Sequence, residues 1–362
     1  MVSSRSSIIT SLIITIIIFG SVGAVLYGTN QYEPSRVAVV VLEPGFGDKS
    51  YSDQLREGLE LFSGDISVQY DEIVTTEAEV EDVLKGLAAQ GIYELIVGLG
   101  ERIESPLAAA AEEYTFQQFA IIGGEVDRAN VASAMFAVEQ AAYLAGIFAA
   151  LQVSEDPYNG RIGILASLET DNSVQRMIDG FMMGVQEANE TYSLDIWVKD
   201  PVFLGGYNET ELARTYAQSW FQSPAEDISL IFAPVRAAIV GIRQALVAAN
   251  ETFSGTRRPM VIAAEGEQDY YGNPDPDVLS PGEWGSMIPT SVVPRTDLAV
   301  YQILNATLWN EFPGGEVLQY NLTNGGVNLT DFGFATYVED GPKEAVKEYR
   351  LEIIAGDITV DV

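Results

Sequence analysis

The chain of 362 residues contains neither histidine nor cysteine. That excludes thiol nucleophiles, disulfides, the common zinc sites and imidazole acid–base catalysis. Any chemistry would rest on carboxylates, lysine, tyrosine or serine; no catalytic residue, metal or cofactor is expected. Two places hold polar groups at spacings worth weighing. In Gly45 to Tyr51, glycines punctuate a loop that ends in Asp48, Lys49, Ser50 and Tyr51. Its spacing matches neither GxxxxGK[ST] nor GxGxxG, so it does not read as a phosphate loop. Further on, Glu265 and Glu267 form a carboxylate pair of the type that glycoside hydrolysis uses. Residues i and i+2 after a strand point apart, however, and no acid–base partner is identifiable, so a carboxylate-based hydrolase is the weaker reading.

The elements around these groups explain why they matter. Val37 to Leu42 is an unbroken apolar run, as in a strand buried on both faces. Leu55, Leu59 and Phe62 then recur at helical spacing. Strand, polar loop and helix open an α/β unit, and such sheets bind ligands at the carboxyl ends of their strands. The pattern continues with strands at Ile66–Tyr70, Tyr93–Val97, Phe119–Ile122 and Val131–Phe136, and helices at Glu77–Gln90, Ser105–Tyr114 and Glu139–Leu151. Ala141, Ala145 and Ala149 predict close helix–sheet approach. Gly98, Gly100, Gly123 and Gly124 stand at strand ends, where tight turns are needed.

After the break Ser154–Gly160 the alternation restarts. Strands are predicted at Arg161–Ala166, Asp195–Lys199, Ile228–Ala233 and Met260–Ala264, and helices at Ser173–Asn189, Glu209–Phe221 and Ala237–Ala249. Glu267 to Gly282 reads as a proline-stiffened loop; Asn273, Asp275 and Asp277 hint at a calcium loop but lack the glycine and glutamate of an EF-hand. Tyr270 and Tyr271 could cover a cleft or simply sit in that loop. Trp284–Ile288 is a further strand, Thr296–Asn310 a helix, and Glu316–Tyr320, Phe332–Tyr337 and a helix at Lys343–Ile354 complete the chain. Strand–helix alternation twice over predicts an α/β protein of two doubly wound, Rossmann-like lobes. Their facing strand ends would form a cleft for a small molecule. The expected division is 1–35 as signal peptide or anchor plus linker, 36–152 with 285–313 as lobe 1, and 153–284 with 314–362 as lobe 2.

Composition sets the surroundings. Fifty-two acids against nineteen bases leave a net charge of −33, which repels nucleic acid and anionic lipid. Ile8 to Tyr27 is uncharged, mostly apolar and preceded by Arg5, and about 20 such residues span roughly 30 Å, a hydrocarbon core. It reads as a cleaved signal peptide or an uncleaved transmembrane anchor. Its length and the lack of a cysteine to acylate favour the anchor, with everything beyond Tyr27 on the extracytoplasmic face of the cell membrane. Six N-x-[ST] sequons, at Asn189, Asn208, Asn250, Asn305, Asn321 and Asn328, are consistent with glycosylation there.

Several runs carry a specific resemblance. These are Gly47-Asp48-Lys49-Ser50-Tyr51 with Glu57-Gly58-Leu59, then Phe119-Ala120-Ile121-Ile122, Asn130-Val131-Ala132-Ser133 and Tyr143-Leu144-Ala145-Gly146. Later come Thr290 to Tyr301 and Gly325-Gly326-Val327-Asn328-Leu329. In their order and spacing, from about Val37 to Phe332, the chain resembles the basic membrane protein family of ABC-transporter substrate-binding proteins, which includes purine nucleoside receptors. The resemblance implies a type I periplasmic-binding-protein fold that closes on a ligand and delivers it to a membrane permease, without chemistry. It implies a nucleoside-like ligand, stacked on aromatics and held through its ribose by carboxylates.

By position, Asp48, Ser50, Tyr51, Gly100, Gly123, Phe136, Arg236, Glu265 and Glu267 are the expected ligand-binding residues. Asp48 has a second reading as a helix cap, Phe136 as core and Arg236 as one half of a surface ion pair. The chain departs from the family at Gly123, where an aspartate is usual, at Pro294, where a lysine is usual, and at Pro234-Val235-Arg236, where glycines are usual. A monomer working with an ABC permease is the expectation. The alternative is an anchored sensor with a separate transducer, since about seven residues precede the apolar segment.

Overall fold

The structure, a computed structural model, describes residues 35–65, 68–252, 258–273, 285–335 and 337–362. The apolar segment 8–27 and the acidic positions 275 and 277 lie outside the described residues. Among the described residues no helix is long and apolar enough to cross a membrane. Residues 36–362 form one compact unit.

Two sheets organise it. The first holds β1 (Ser35–Leu42), β2 (Val68–Thr75), β3 (Leu95–Leu99), β4 (Phe119–Ile122), β5 (Val131–Phe136) and β12 (Val317–Tyr320), in the order β12-β5-β4-β3-β1-β2. The second holds β6 (Arg161–Ala166), β7 (Trp197–Val198), β9 (Leu230–Ala233), β10 (Met260–Ala264), β11 (Ser291–Pro294) and β13 (Val327–Leu329), in the order β13-β11-β10-β9-β6-β7. A short β8 (Val202–Phe203) also pairs with β6. Strands β1, β3, β4, β5 and β12 run parallel, as do β6, β9, β10 and β11, while β13 returns antiparallel to β11. Every residue of β3, β4 and β10 is buried, which is why these strands are continuous apolar runs rather than alternating ones. The architecture is therefore the α/β pair of doubly wound lobes that the pattern predicts.

Helices α1 (Tyr51–Asp65), α2 (Val80–Gln90) and α3 (Glu104–Glu113) follow strands of the first sheet. Helices α4 (Val138–Ser154), α5 (Asn172–Tyr192), α6 (Thr210–Gln222), α7 (Ile239–Thr252) and α9 (Asp340–Ala355) go with the second, and α8 (Thr296–Leu308) packs on α1. Among the described residues the chain crosses between the sheets three times, at 136–138, 294–296 and 320–327. Sheet membership therefore differs from the lobe division expected from sequence: α4 packs on α5, β11 and β13, strand β11 is in the second sheet, and β12 joins the first.

The α4–α5 pair is unusually close because glycines line it. A Cβ at Gly184 would lie 2.0 Å from the carbonyl oxygen of Tyr143, and one at Gly146 would lie 2.1 Å from that of Phe181. The alanines read from sequence are buried in the same helix, but these glycines set the spacing.

Two strand expectations shift. Of the run expected at 284–288, the described residues 285–288 are not a strand. Ser286 N bonds to Phe334 O, Met287 N to Gly272 O, and the Ser286 hydroxyl turns back on Asp269 O, so these backbone groups are spent on loops. The strand comes three residues after that run, at Ser291–Pro294. Likewise the described residues of 332–337 form no strand: Phe332 has φ +63° and Asp331 accepts from Gly333 N in a turn, while β13 lies earlier.

Candidate functional site

The three crossings bring the carboxyl ends of both sets of strands together, and polar groups meet there in a small cavity. Tyr51, Gly100, Glu101, Arg102 and Gly123 come from the loops of the first sheet, and Asp171, Ser173, Tyr207 and Arg236 from the second. About 30 Å³ of open space remains. The lobes are clasped around it: Asn172 donates through its backbone N and Nδ2 to the two oxygens of Glu101, at 2.9 and 3.0 Å. Gln268 Nε2 donates to Lys49 O at 2.9 Å, and Gly266 abuts the Ser50 backbone.

Tyr51 begins α1 and is 3% exposed. Its hydroxyl fills the place where a side chain at position 123 would go; a Cβ on Gly123 would meet it at 2.1 Å, and Gly123 has φ +76°. The missing aspartate is thereby explained: glycine supplies both the backbone conformation and the room for the phenol. Burial pushes the Tyr51 phenol well above its ordinary pKa, though Arg236 opposes this.

Arg236 is the centre of the site. It stands just after β9 with φ +49°, an uncommon conformation for a side chain of this size. Its guanidinium lies 4.0 Å from the Tyr207 ring centroid and 5.0 Å from that of Tyr51. Nε donates to Glu265 Oε1 at 2.7 Å, and Nη2 is 3.6 Å from Asp171 Oδ2. Burial alone would lower its pKa, but Glu265, Tyr207 and Asp171 more than offset that and hold it charged. Asp171 caps α5 by accepting from Val174 N and also accepts the Tyr207 hydroxyl.

Glu265, also at positive φ (+69°), is fully buried, with Oε2 lacking a hydrogen-bond partner. Burial pushes its carboxyl up to about 7; Arg236 pulls the other way, and Asp171 and Asp48 add to the rise. Asp269 is likewise raised to about 7 by burial against the pull of Ser291. Both groups hold protons more tightly folded than unfolded, so between the ordinary carboxylate range and about pH 7 the native state binds more protons. Their contribution to stability is complete at low pH and lost as pH rises through 7. Melting temperature at constant ionic strength should therefore fall between pH 5 and 8, and Glu265→Gln, which cannot titrate, should flatten the slope. Parallel profiles for the two proteins would refute this.

The remaining expected residues do not line this cavity. Asp48 is buried, and its carboxylate accepts from Ser50 N, Ser52 N and Ser52 Oγ at 2.9 to 3.3 Å, capping α1. These are the contacts of its helix-capping reading. Ser50 lies in the clasp and Phe136 under the site, packed between the rings of Tyr51 and Tyr320. Glu267 is exposed and lines a separate cleft of about 840 Å³ with Lys49, Asp53, Tyr270, Arg295 and Asp297. Glu265 and Glu267 thus do not face one another. Sequence reading missed Asp171, Tyr207 and Glu101; Asp171 and Glu101 lie in loops at strand carboxyl ends, where the rule that picked Gly45 to Tyr51 also points.

The family model described as ABC transporter substrate-binding protein PnrA-like matches residues 35–360, and the chain belongs to that family. It is 25% identical to the ABC transporter nucleoside-binding protein BmpA of Lactococcus lactis, over 93% of this chain and 95% of that one. An uncharacterized lipoprotein of Pyrococcus furiosus is also 25% identical, over 97% of this chain and 87% of the relative. Among solved structures, an ABC transporter system solute-binding protein from Aeropyrum pernix superposes with a TM-score of 0.77 at 23% identity. It covers 90% of this chain and 93% of the other, a likeness of fold.

Proposed function

We propose that this substrate-binding protein captures a neutral, nucleoside-like solute between its lobes and hands it to the permease of an ABC importer, working as a monomer held at the extracytoplasmic membrane face. The observation that carries the reading is a cavity that exists only where the lobes meet, with a tyrosine from each lobe and carboxylates around it. Two aromatic faces suit a base, and buried carboxylates suit hydroxyl and N–H donors. Glu43, Glu101, Asp171 and Glu265 outnumber Arg102 and Arg236 at and around the cavity, so a phosphate is disfavoured and a nucleoside preferred to a nucleotide. Support for the ligand class comes from the Lactococcus relative, named as nucleoside-binding. Support for membrane attachment comes from relatives named as lipoproteins; this chain has no cysteine, and the apolar stretch at 8–27 would serve as the anchor instead.

Binding would proceed by hinge motion. The lobes are joined through the three crossings, and ligand contacts to both walls favour closure. Titration calorimetry of the full-length chain with adenosine, guanosine, inosine, cytidine and uridine tests the ligand class. Binding of at least one below millimolar is expected, and none below that level would overturn it. Release of free base during incubation would overturn the non-enzymatic reading.

A further inference from the structure

Arg236 occupies the space between the two tyrosines that a planar ligand group would take. The guanidinium faces both rings, and what it leaves, about 30 Å³, has room for a water or two and not for a base. Its edge is matched by acceptors: Glu265 Oε1 takes the Nε hydrogen, and Asp171 Oδ2 lies beside Nη2. Of the oxygens of these two carboxylates, the second Glu265 oxygen is buried without a hydrogen-bond partner. The backbone at 236 is left-handed, where glycine would be at ease, so the chain holds an arginine here against a local cost.

We propose that the Arg236 guanidinium is a built-in occupant of the aromatic slot, and that the ligand fragment replacing it is a planar group with two adjacent N–H donors. Among nucleosides this is the guanine edge, N1–H with the 2-amino group. It would bind Glu265 through both carboxylate oxygens, including the one Arg236 leaves free, and stack where the guanidinium stacks. Hypoxanthine keeps N1–H and lacks the amino group. Adenine turns an N1 lone pair toward the carboxylates. The choice of guanosine rests on the nucleoside reading; the chemistry of the slot does not.

A self-occupied site also lowers apparent affinity, because the ligand binds only the fraction of molecules whose arginine has withdrawn. Arg236→Gly removes the occupant and relaxes the backbone.

Calorimetry on the full-length chain should give guanosine at least about tenfold tighter than inosine, the worth of one charge-assisted hydrogen bond, with adenosine weaker again. Arg236→Gly should bind guanosine at least about tenfold tighter than the native chain. Methylguanidinium chloride should raise the melting temperature of Arg236→Gly, with methylammonium chloride at equal concentration ineffective and neither salt acting selectively on the native protein. Equal or tighter inosine binding, weaker guanosine binding by the glycine variant, or no selective effect of methylguanidinium would overturn the proposal. If methylguanidinium stabilises the variant and no nucleoside binds either protein, the slot stands and the nucleoside reading falls. Should Arg236→Gly fail to fold, the native order of guanosine, inosine and adenosine decides by itself.

Discussion

Gly266→Val should leave both lobes folded and abolish tight ligand binding. A Cβ at this position would lie 2.6 Å from Ser50 Cα and 3.0 Å from Ser50 C. These are backbone atoms of the opposite lobe and cannot swing aside as a side chain could. Gly266 is not at positive φ, so its own backbone tolerates a side chain and the clash is confined to the closed arrangement. The valine should therefore hold the lobes apart, and an affinity loss of about a hundredfold corresponds to a shift in the open–closed balance of roughly 3 kcal/mol. Small-angle scattering should show a larger radius of gyration with ligand present, while far-UV circular dichroism is unchanged. Undiminished affinity would show that ligand does not require this closure.

Gly184→Leu should have the largest effect on stability. Mid-helix glycine is ordinarily less favourable than alanine by about 1 kcal/mol, so propensity alone would rank almost any replacement as stabilising. Packing reverses the sign. The new Cβ would meet Tyr143 O at 2.0 Å and Ile147 N at 3.0 Å, both in the backbone of α4, and the two helices would have to separate. Overpacking of this type costs at least about 1–3 kcal/mol, and a rigid helix backbone as the obstacle puts the expectation at or above the upper end. The contrast is Gly86→Ala in α2, exposed and with nothing within 4 Å of the added carbon; there propensity should win, with a gain of about 0.5–1 kcal/mol. Urea denaturation of the three proteins checks both signs, and a stabilised Gly184→Leu would refute the packing account.

How much of the site was legible follows from how each residue is specified. Strands 119–122, 131–136, 161–166 and 260–264 coincide with the apolar runs that predict them, because a strand buried on both faces leaves a local signature. Their carboxyl ends follow from the topology, so loops carrying Tyr51, Gly100, Gly123 and Arg236 could be singled out, and these four share one cavity. Strand β11 lies beyond the run expected at 284–288 because Ser286 N and Met287 N bond to Phe334 O and Gly272 O, and regular pairing with β10 begins only at Ser291. The positions 8–27, 275 and 277 lie beyond what the structure describes.

The amino-acid sequence by itself determined the class of fold, the two-lobed plan, the exclusion of thiol and imidazole chemistry and the strand ends that carry the site. All of these are written in local patterns or in composition. Tertiary structure alone decided which side chains face one another. Whether Glu265 and Glu267 face one cleft, and whether Arg236 makes a surface ion pair or fills the space between Tyr51 and Tyr207, depend on which distant segments pack around them. Those contacts follow from the packing of the two sheets and from the glycines at 123, 184 and 266 that let backbones or rings approach. A sequence shows that a glycine is present, and only the neighbour that fills its missing side chain shows why.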